Sequence, residues 1–77
     1  MDNNQMTEVL IREDEQFITL GQLLKKENIV SSGGQVKIFL LEVEVLLNGE
    51  IVNQRGKKLY ENDIIEIPEV GKFIIKK

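Results

Sequence analysis

The pair Asn48-Gly49 constrains the fold of this chain more than any other local feature. It lies between two apolar runs at residues 45–47 and 51–52. Asn-Gly is the preferred pair for a two-residue turn between antiparallel strands, because both residues tolerate a positive φ. The middle of the chain is therefore predicted to form a β-hairpin.

Further strands are predicted on both sides of this hairpin. Residues 7–12, 64–67 and 72–75 are short runs rich in β-branched and apolar residues. Phe17 and Ile18 are expected to form a short return strand, which would give an N-terminal hairpin. A turn is predicted at residues 68–71, which include the single proline.

Two helices are predicted between the first strand and the central hairpin. Thr19 is a candidate N-cap for a helix over residues 20–28. Residues 31–34 form a turn before a second helix, which is predicted to begin at Gly34 or Gln35 and to end near Val43. The predicted buried faces consist of Leu20, Leu23 and Leu24 in the first helix, and Val36, Phe39, Leu40 and Val43 in the second. The resulting class is α+β: one domain over residues 1–77, with two helices packed on a small, mostly antiparallel sheet. The first five residues are polar and are expected to be frayed.

The composition excludes several kinds of chemistry. The 77 residues include no Cys and no His, so disulfides, thiolate nucleophiles, histidine dyads and the usual structural zinc sites are excluded. The carboxylates are scattered and have the pattern of a solvated surface. No catalytic residue, metal or cofactor is predicted, and the chain is not expected to be an enzyme. The longest apolar run is four residues, at positions 38–41, and no secretory signal is visible, so a cytoplasmic location is expected.

The charges are unevenly distributed along the chain. The net charge is −3, which by itself argues against a nucleic-acid partner. However, residues 1–19 carry one basic and five acidic side chains, whereas residues 20–58 carry six basic and four acidic ones. The central basic residues either converge on one patch that neutralises phosphates or solubilise separate surfaces. The charges alone leave both interpretations open.

Five segments in fixed order resemble a known module. They are residues 20–25 (LGQLLK), 31–37 (SSGGQVK), 45–50 (VLLNGE), 55–59 (RGKKL) and 62–67 (NDIIEI). This order is similar to the alpha-L RNA-binding motif, the module of the ribosomal protein S4 type. The Gly-Gly-x-x-Lys and Arg-Gly-Lys-Lys-Leu segments most resemble its short stand-alone branch, the YaaA-like bacterial proteins. The resemblance covers residues 19–67, which leaves residues 1–18 as an N-terminal strand or hairpin extension and residues 68–77 as a C-terminal strand.

The resemblance implies non-catalytic binding of structured RNA, with ribosomal RNA or a ribosome-assembly particle as the expected partner. A-form RNA is recognised mainly through its phosphates, 2′-hydroxyls and shape. Together with the basic segments, the resemblance gives these candidate RNA-binding residues: Thr19, Gln22, Lys26, Ser32, Gly33, Gly34, Gln35, Lys37, Arg55, Lys57 and Lys58.

Two positions depart from the family pattern. Many members carry Arg where this chain has Gly33, and many begin the first helix with Arg-Leu-Asp where it has residues 19–21, Thr-Leu-Gly. Backbone N–H groups at Gly33 and Gly34 are candidates to replace one missing side-chain contact. The few aromatic residues, Phe17, Phe39, Tyr60 and Phe73, predict no platform for base stacking.

Two other functions remain open from the sequence. One is a ubiquitin-like β-grasp carrier. Two features argue against it: such carriers end in Gly-Gly, whereas residues 74–77 are IIKK, and a minimal β-grasp chain does not contain the second predicted helix. The other is an adaptor whose basic loop binds an acidic protein partner.

Overall fold

The computed structural model describes residues 6–77, and the prediction that residues 1–5 are frayed lies outside this range. Seven strands and two helices follow one another along these residues. They are β1 (Thr7–Leu10), β2 (Ile18–Thr19), α1 (Leu20–Lys26), α2 (Gly33–Glu42), β3 (Val45–Leu47), β4 (Glu50–Val52), β5 (Lys58–Leu59), β6 (Ile64–Ile67) and β7 (Gly71–Lys76).

Five of the strands form one sheet in the order β1-β7-β6-β3-β4. Only β1 and β7 are parallel, and every other pair in the sheet is antiparallel. This confirms the predicted α+β class with a mostly antiparallel sheet. The second helix, α2, is a feature that a minimal β-grasp chain does not contain.

The predicted N-terminal hairpin is wrong. β1 pairs with β7, and the short return strand β2 pairs instead with β5, where Ile18 lies opposite Leu59. The reason is burial: Ile18 and Leu59 are both buried, and Val9 lies opposite Ile75 in the core. Each N-terminal strand thus finds its apolar partner far along the chain, and the charged residues between the two strands connect them.

The central hairpin forms as predicted and is tied to its neighbour. Leu47 lies opposite Glu50, and the turn residues Asn48 and Gly49 have φ of 51° and 91°, as expected for a type I′ turn. The Asn48 side chain accepts a hydrogen bond from the Ile64 N–H (2.9 Å) and donates one to Asp63 (3.1 Å). These two bonds attach the hairpin to the start of β6.

Both predicted helices are present, with shifted ends. Thr19 is the N-cap of α1, as predicted, but the helix ends at Lys26 because Asn28 has a left-handed φ of 60°. α2 begins at Gly33, one residue earlier than the sequence suggested, after the extended N-cap residue Ser32.

One core lies between the helices and the inner face of the sheet. All three leucines of the predicted α1 stripe are fully buried, and in α2 Val36 and Leu40 are buried while Phe39 and Val43 pack at the edge of the core. The strands contribute alternate residues, as a sheet with one covered face requires. The buried strand residues are Val9, Ile18, Val45, Leu59, Ile65, Ile67, Phe73 and Ile75.

Candidate nucleic-acid interface

The N-terminal ends of α1 and α2 and the loop before β5 border one open groove. The groove has a volume of ≈ 320 Å³. Its lining residues are Thr19, Gly21, Gln22, Lys25, Gly33, Val36, Arg55 and Gly56. Residues from three segments of the chain that are far apart in sequence therefore meet at one surface.

Backbone hydrogen bonds hold the loop against the start of α1. The Leu20 N–H donates to the Lys57 carbonyl oxygen and the Gly21 N–H donates to the Arg55 carbonyl oxygen, both at 2.9 Å. The first N–H groups of a helix have no partner within the helix, so the loop satisfies two of them. A Cβ at position 21 would lie only 3.3 Å from the Arg55 carbonyl oxygen. Glycine at this position therefore permits the close approach that fixes the Arg55 backbone.

Thr19 and Gln22 form a reciprocal capping box on the rim of the groove. The Gln22 N–H donates to the Thr19 hydroxyl oxygen (3.2 Å), and the Thr19 N–H donates to the Gln22 side-chain oxygen (2.9 Å). These bonds fix both side chains. Their remaining donors are the Thr19 hydroxyl and the Gln22 amide group, which suit phosphate or 2′-hydroxyl oxygens.

The N-terminus of α2 is open to solvent. Ser32, Gly33 and Gly34 are exposed, the Ser32 side chain forms no capping hydrogen bond, and no atom lies within 4 Å of a Cβ built at either glycine. Helix N-termini attract anions through the helix dipole and free N–H groups. The Gln35 side-chain oxygen accepts hydrogen bonds from the Ser31 N–H (2.9 Å) and the Ser31 hydroxyl (2.7 Å). These bonds attach Gln35 to the turn before α2.

The predicted basic residues do not all reach this groove. Arg55 lines it, and Lys37 lies one helical turn after Gly33, on the same side of α2. Lys26 instead borders a cavity with Arg12 and Glu15 on the other side of α1.

Lys57 and Lys58, which follow Gly56, also lie outside the groove. Lys57 borders a cavity along β4, and the Lys58 ammonium lies 4.9 Å from the centre of the Phe17 ring. Among residues 6–77 the one ion pair joins Arg12 and Asp14, so no candidate cation is neutralised by a carboxylate there.

Four lining residues of the groove were not among the predicted RNA-binding residues: Gly21, Lys25, Val36 and Gly56. Lys25 follows Gly21 by four residues and Gln22 by three, the spacings that place side chains on one side of a helix. That spacing was a usable signal for Lys25. No signal was available for Gly21, because its role depends on contact with a loop 34 residues away in sequence.

The sequence predicts no aromatic platform, but two of the aromatic residues lie next to each other in the structure. Phe17 and Tyr60 flank the paired strands β2 and β5, and their ring centres lie 5.8 Å apart at an interplanar angle of 55°. Tyr60 is 49% exposed. The two residues meet because Ile18 pairs with Leu59, a pairing that the sequence did not predict.

Comparison with known proteins identifies the family of this chain. Residues 10–76 match the S4 domain family, and the chain belongs to that family. It is similar to the probable ribosome maturation protein RlbA of Bacillus subtilis (strain 168), with 52% identity over 60 residues, which covers 78% of this chain and 84% of that protein. The resemblance to the alpha-L motif and its short bacterial branch is thus confirmed.

The part of the chain that the structure describes contains neither a metal-binding cluster nor a membrane-spanning helix. Within residues 6–77 no group of three or more Asp or Glu side chains is arranged to hold a metal ion. No helix in this part of the chain has the length and apolar character needed to cross a membrane.

Proposed function

We propose that this protein binds structured RNA without catalysing a reaction, through the groove between α1, α2 and the loop before β5. The observation that carries the proposal is the convergence of unpaired cations with an open helix N-terminus. Lys25 and Arg55 line the groove, and Gly33 presents the start of α2 to it. Arg55 suits two-point contact with a phosphate, and the lysines act as point charges.

We further propose ribosomal RNA or a ribosome-assembly particle as the target, in the cytoplasm. The support is membership of the S4 domain family together with the similarity to the Bacillus subtilis protein, which is named a probable ribosome maturation protein. Crosslinking the protein to RNA in cells and sequencing the attached RNA tests this target. Reads concentrated in ribosomal RNA are expected, and reads spread evenly over messenger RNAs would contradict it.

The binding surface is tested by a matched pair of double variants. Lys25→Ala/Arg55→Ala removes two charges from the groove, whereas Lys72→Ala/Lys77→Ala removes two exposed charges elsewhere. The affinity for a structured ribosomal RNA fragment is measured over a range of salt concentrations. We expect the first variant to lower both the affinity and the salt slope, the slope by about one unit per lost phosphate contact.

The control variant should retain the slope of the unmodified protein. An equal loss in both double variants would mean that binding follows net charge, and the groove would not be the RNA site. Unmeasurable binding of the unmodified protein at low salt would contradict the RNA function itself.

A protein-interaction adaptor is a second candidate, because α2 exposes two large apolar side chains. Ile38 is 56% exposed and Leu41 is 77% exposed. A protein that remains bound after nuclease treatment, and is lost in Ile38→Ser/Leu41→Ser, would support the adaptor. Loss of all partners on nuclease treatment would favour RNA alone.

A further inference from the structure

We infer that the cavity beside Phe17 and Tyr60 binds one unpaired nucleotide of the RNA held in the groove, and this inference rests on the proposed function. The ligand is a base turned out of its helix next to a duplex.

The β2–β5 ribbon has one apolar and one exposed face. Ile18 and Leu59 are buried, so the neighbouring residues in the paired strands face outward. Phe17 and Tyr60 are therefore opposite each other on the outer face, and Thr19 and Lys58 form the next pair. This face therefore presents the rings of Phe17 and Tyr60 together with the Lys58 ammonium. Planar bases stack on aromatic rings of this kind.

The cavity beside the rings has a lining that suits a base better than a phosphate. It has a volume of ≈ 420 Å³ and is lined by Asp14, Glu15, Gln16, Phe17, Thr19, Gln22 and Tyr60. Two carboxylates repel a phosphate, but they accept hydrogen bonds from the amino groups of adenine, cytosine or guanine. The Lys58 ammonium lies over the Phe17 ring, 4.9 Å from the ring centre, and it would contact the nucleotide's own phosphate.

The cavity adjoins the groove proposed for RNA. Thr19 and Gln22 line both, so the capping box of α1 is the boundary between the two. Because the groove and the cavity are adjacent, an RNA strand whose phosphates cross the groove can place a neighbouring unpaired base on Tyr60. The protein would then prefer a duplex interrupted by an unpaired nucleotide over a continuous duplex.

The chain offers a direct probe of this site. Tyr60 is the only tyrosine, and the chain contains no tryptophan. Intrinsic fluorescence therefore reports on this cavity alone. A base that stacks on Tyr60 is expected to quench the fluorescence.

The test compares two RNA hairpins that differ by one unpaired adenosine in the stem. We expect the interrupted hairpin to bind about tenfold more tightly, within the range measured for one stacked base, and to quench the fluorescence of Tyr60.

Tyr60→Ala should abolish the preference while the affinity for the continuous hairpin stays unchanged, which also shows that the variant is folded. Tyr60→Phe should retain the preference. Replacing the unpaired adenosine by uridine should weaken it, because uracil lacks an amino group.

Equal affinity for both hairpins without quenching would overturn the nucleotide site and leave the proposed function intact. Absence of binding to either hairpin would overturn both. The carboxylates and rings could also receive a basic side chain of a protein, and a short arginine-containing peptide is the probe for that case. Quenching by this peptide, with no quenching by the interrupted hairpin, would overturn the inference in favour of a protein partner.

Discussion

Gly21 is the residue on which the position of Arg55 depends. It is buried within α1, and its N–H donates to the Arg55 carbonyl oxygen at 2.9 Å. Alanine would stabilise a helix interior by about 0.5–1 kcal/mol relative to glycine, so the helix alone does not favour glycine here. The loop does, because a Cβ at position 21 would make an unusually tight contact of 3.3 Å with the Arg55 carbonyl oxygen.

For Gly21→Ala we expect little change in stability, within about 1 kcal/mol, but weaker RNA binding. The added Cβ would meet the Arg55 carbonyl oxygen at 3.3 Å and push the loop outward, while the gain in helix propensity offsets part of the cost. The affinity should fall about fivefold, because one charge-assisted contact is displaced. Thermal unfolding and RNA titration measure the two effects separately.

Gly34→Ala is the matched control for stability, because no atom lies within 4 Å of a Cβ at position 34. It should raise the unfolding midpoint through helix propensity alone. Unchanged RNA binding in Gly21→Ala would show that the loop position does not govern affinity.

At the scale of elements, the central hairpin is held by hydrogen bonds as well as by strand pairing. Asn48 joins the turn to Ile64 and Asp63, and Asp63 also accepts a bond from the Tyr60 N–H at 2.8 Å. One asparagine and one aspartate thus connect β3, β6 and the turn before β6. In this chain the Asn-Gly and Asn-Asp segments therefore have a structural role.

Asn48→Gly tests this connection without disturbing the turn. Glycine accepts the left-handed conformation of position 48, where φ is 51°, so the substitution removes mainly the two side-chain bonds. We expect a loss of about 1–2 kcal/mol in the free energy of unfolding, measured by urea denaturation.

Asn62→Gly provides the comparison, because Asn62 also has a positive φ, 75°, but its side chain has a single long contact with Lys76 at 3.4 Å. Its cost should be a few tenths of a kcal/mol. Equal effects of the two substitutions would mean that the Asn48 bonds add nothing to stability.

At the scale of the whole molecule, the sheet pairs the first and last strands of the described chain. β1 lies parallel to β7, and the pair Val9 and Ile75 is almost completely buried. A domain of this size buries a smaller fraction of its unfolded surface than a larger domain does, and it has little stability to spare. The terminal strands are therefore part of the core and cannot be treated as an appendage to the helices and hairpin.

The two neighbouring isoleucines of β7 test this view. Ile75 is fully buried on the inner face, whereas Ile74 is half-buried on the outer face. Ile75→Ala should cost about 2–5 kcal/mol of unfolding free energy through lost burial and a cavity, and Ile74→Ala should cost clearly less. Urea midpoints of the two variants give the comparison. Similar midpoints would indicate that the outer face is covered in solution by another surface.

The sequence by itself determined the local features of this protein. The hairpin at Asn48-Gly49, the N-cap Thr19 and the leucine face of α1 depend on turn geometry, short-range hydrogen bonds and helical spacing, all of which act within a few residues. Recognition of the family also came from short segments in a fixed order. These features were sufficient to predict the fold class and most strand and helix positions.

The tertiary structure alone decided which distant residues meet. It paired β1 with β7 and β2 with β5, divided the basic residues between the groove and neighbouring surfaces, and brought Phe17 to Tyr60. The direction of a strand side chain depends on which face of the strand is buried, and burial depends on partners elsewhere in the chain. Local sequence does not contain that information, so the groove and the aromatic cavity become visible only in the folded protein.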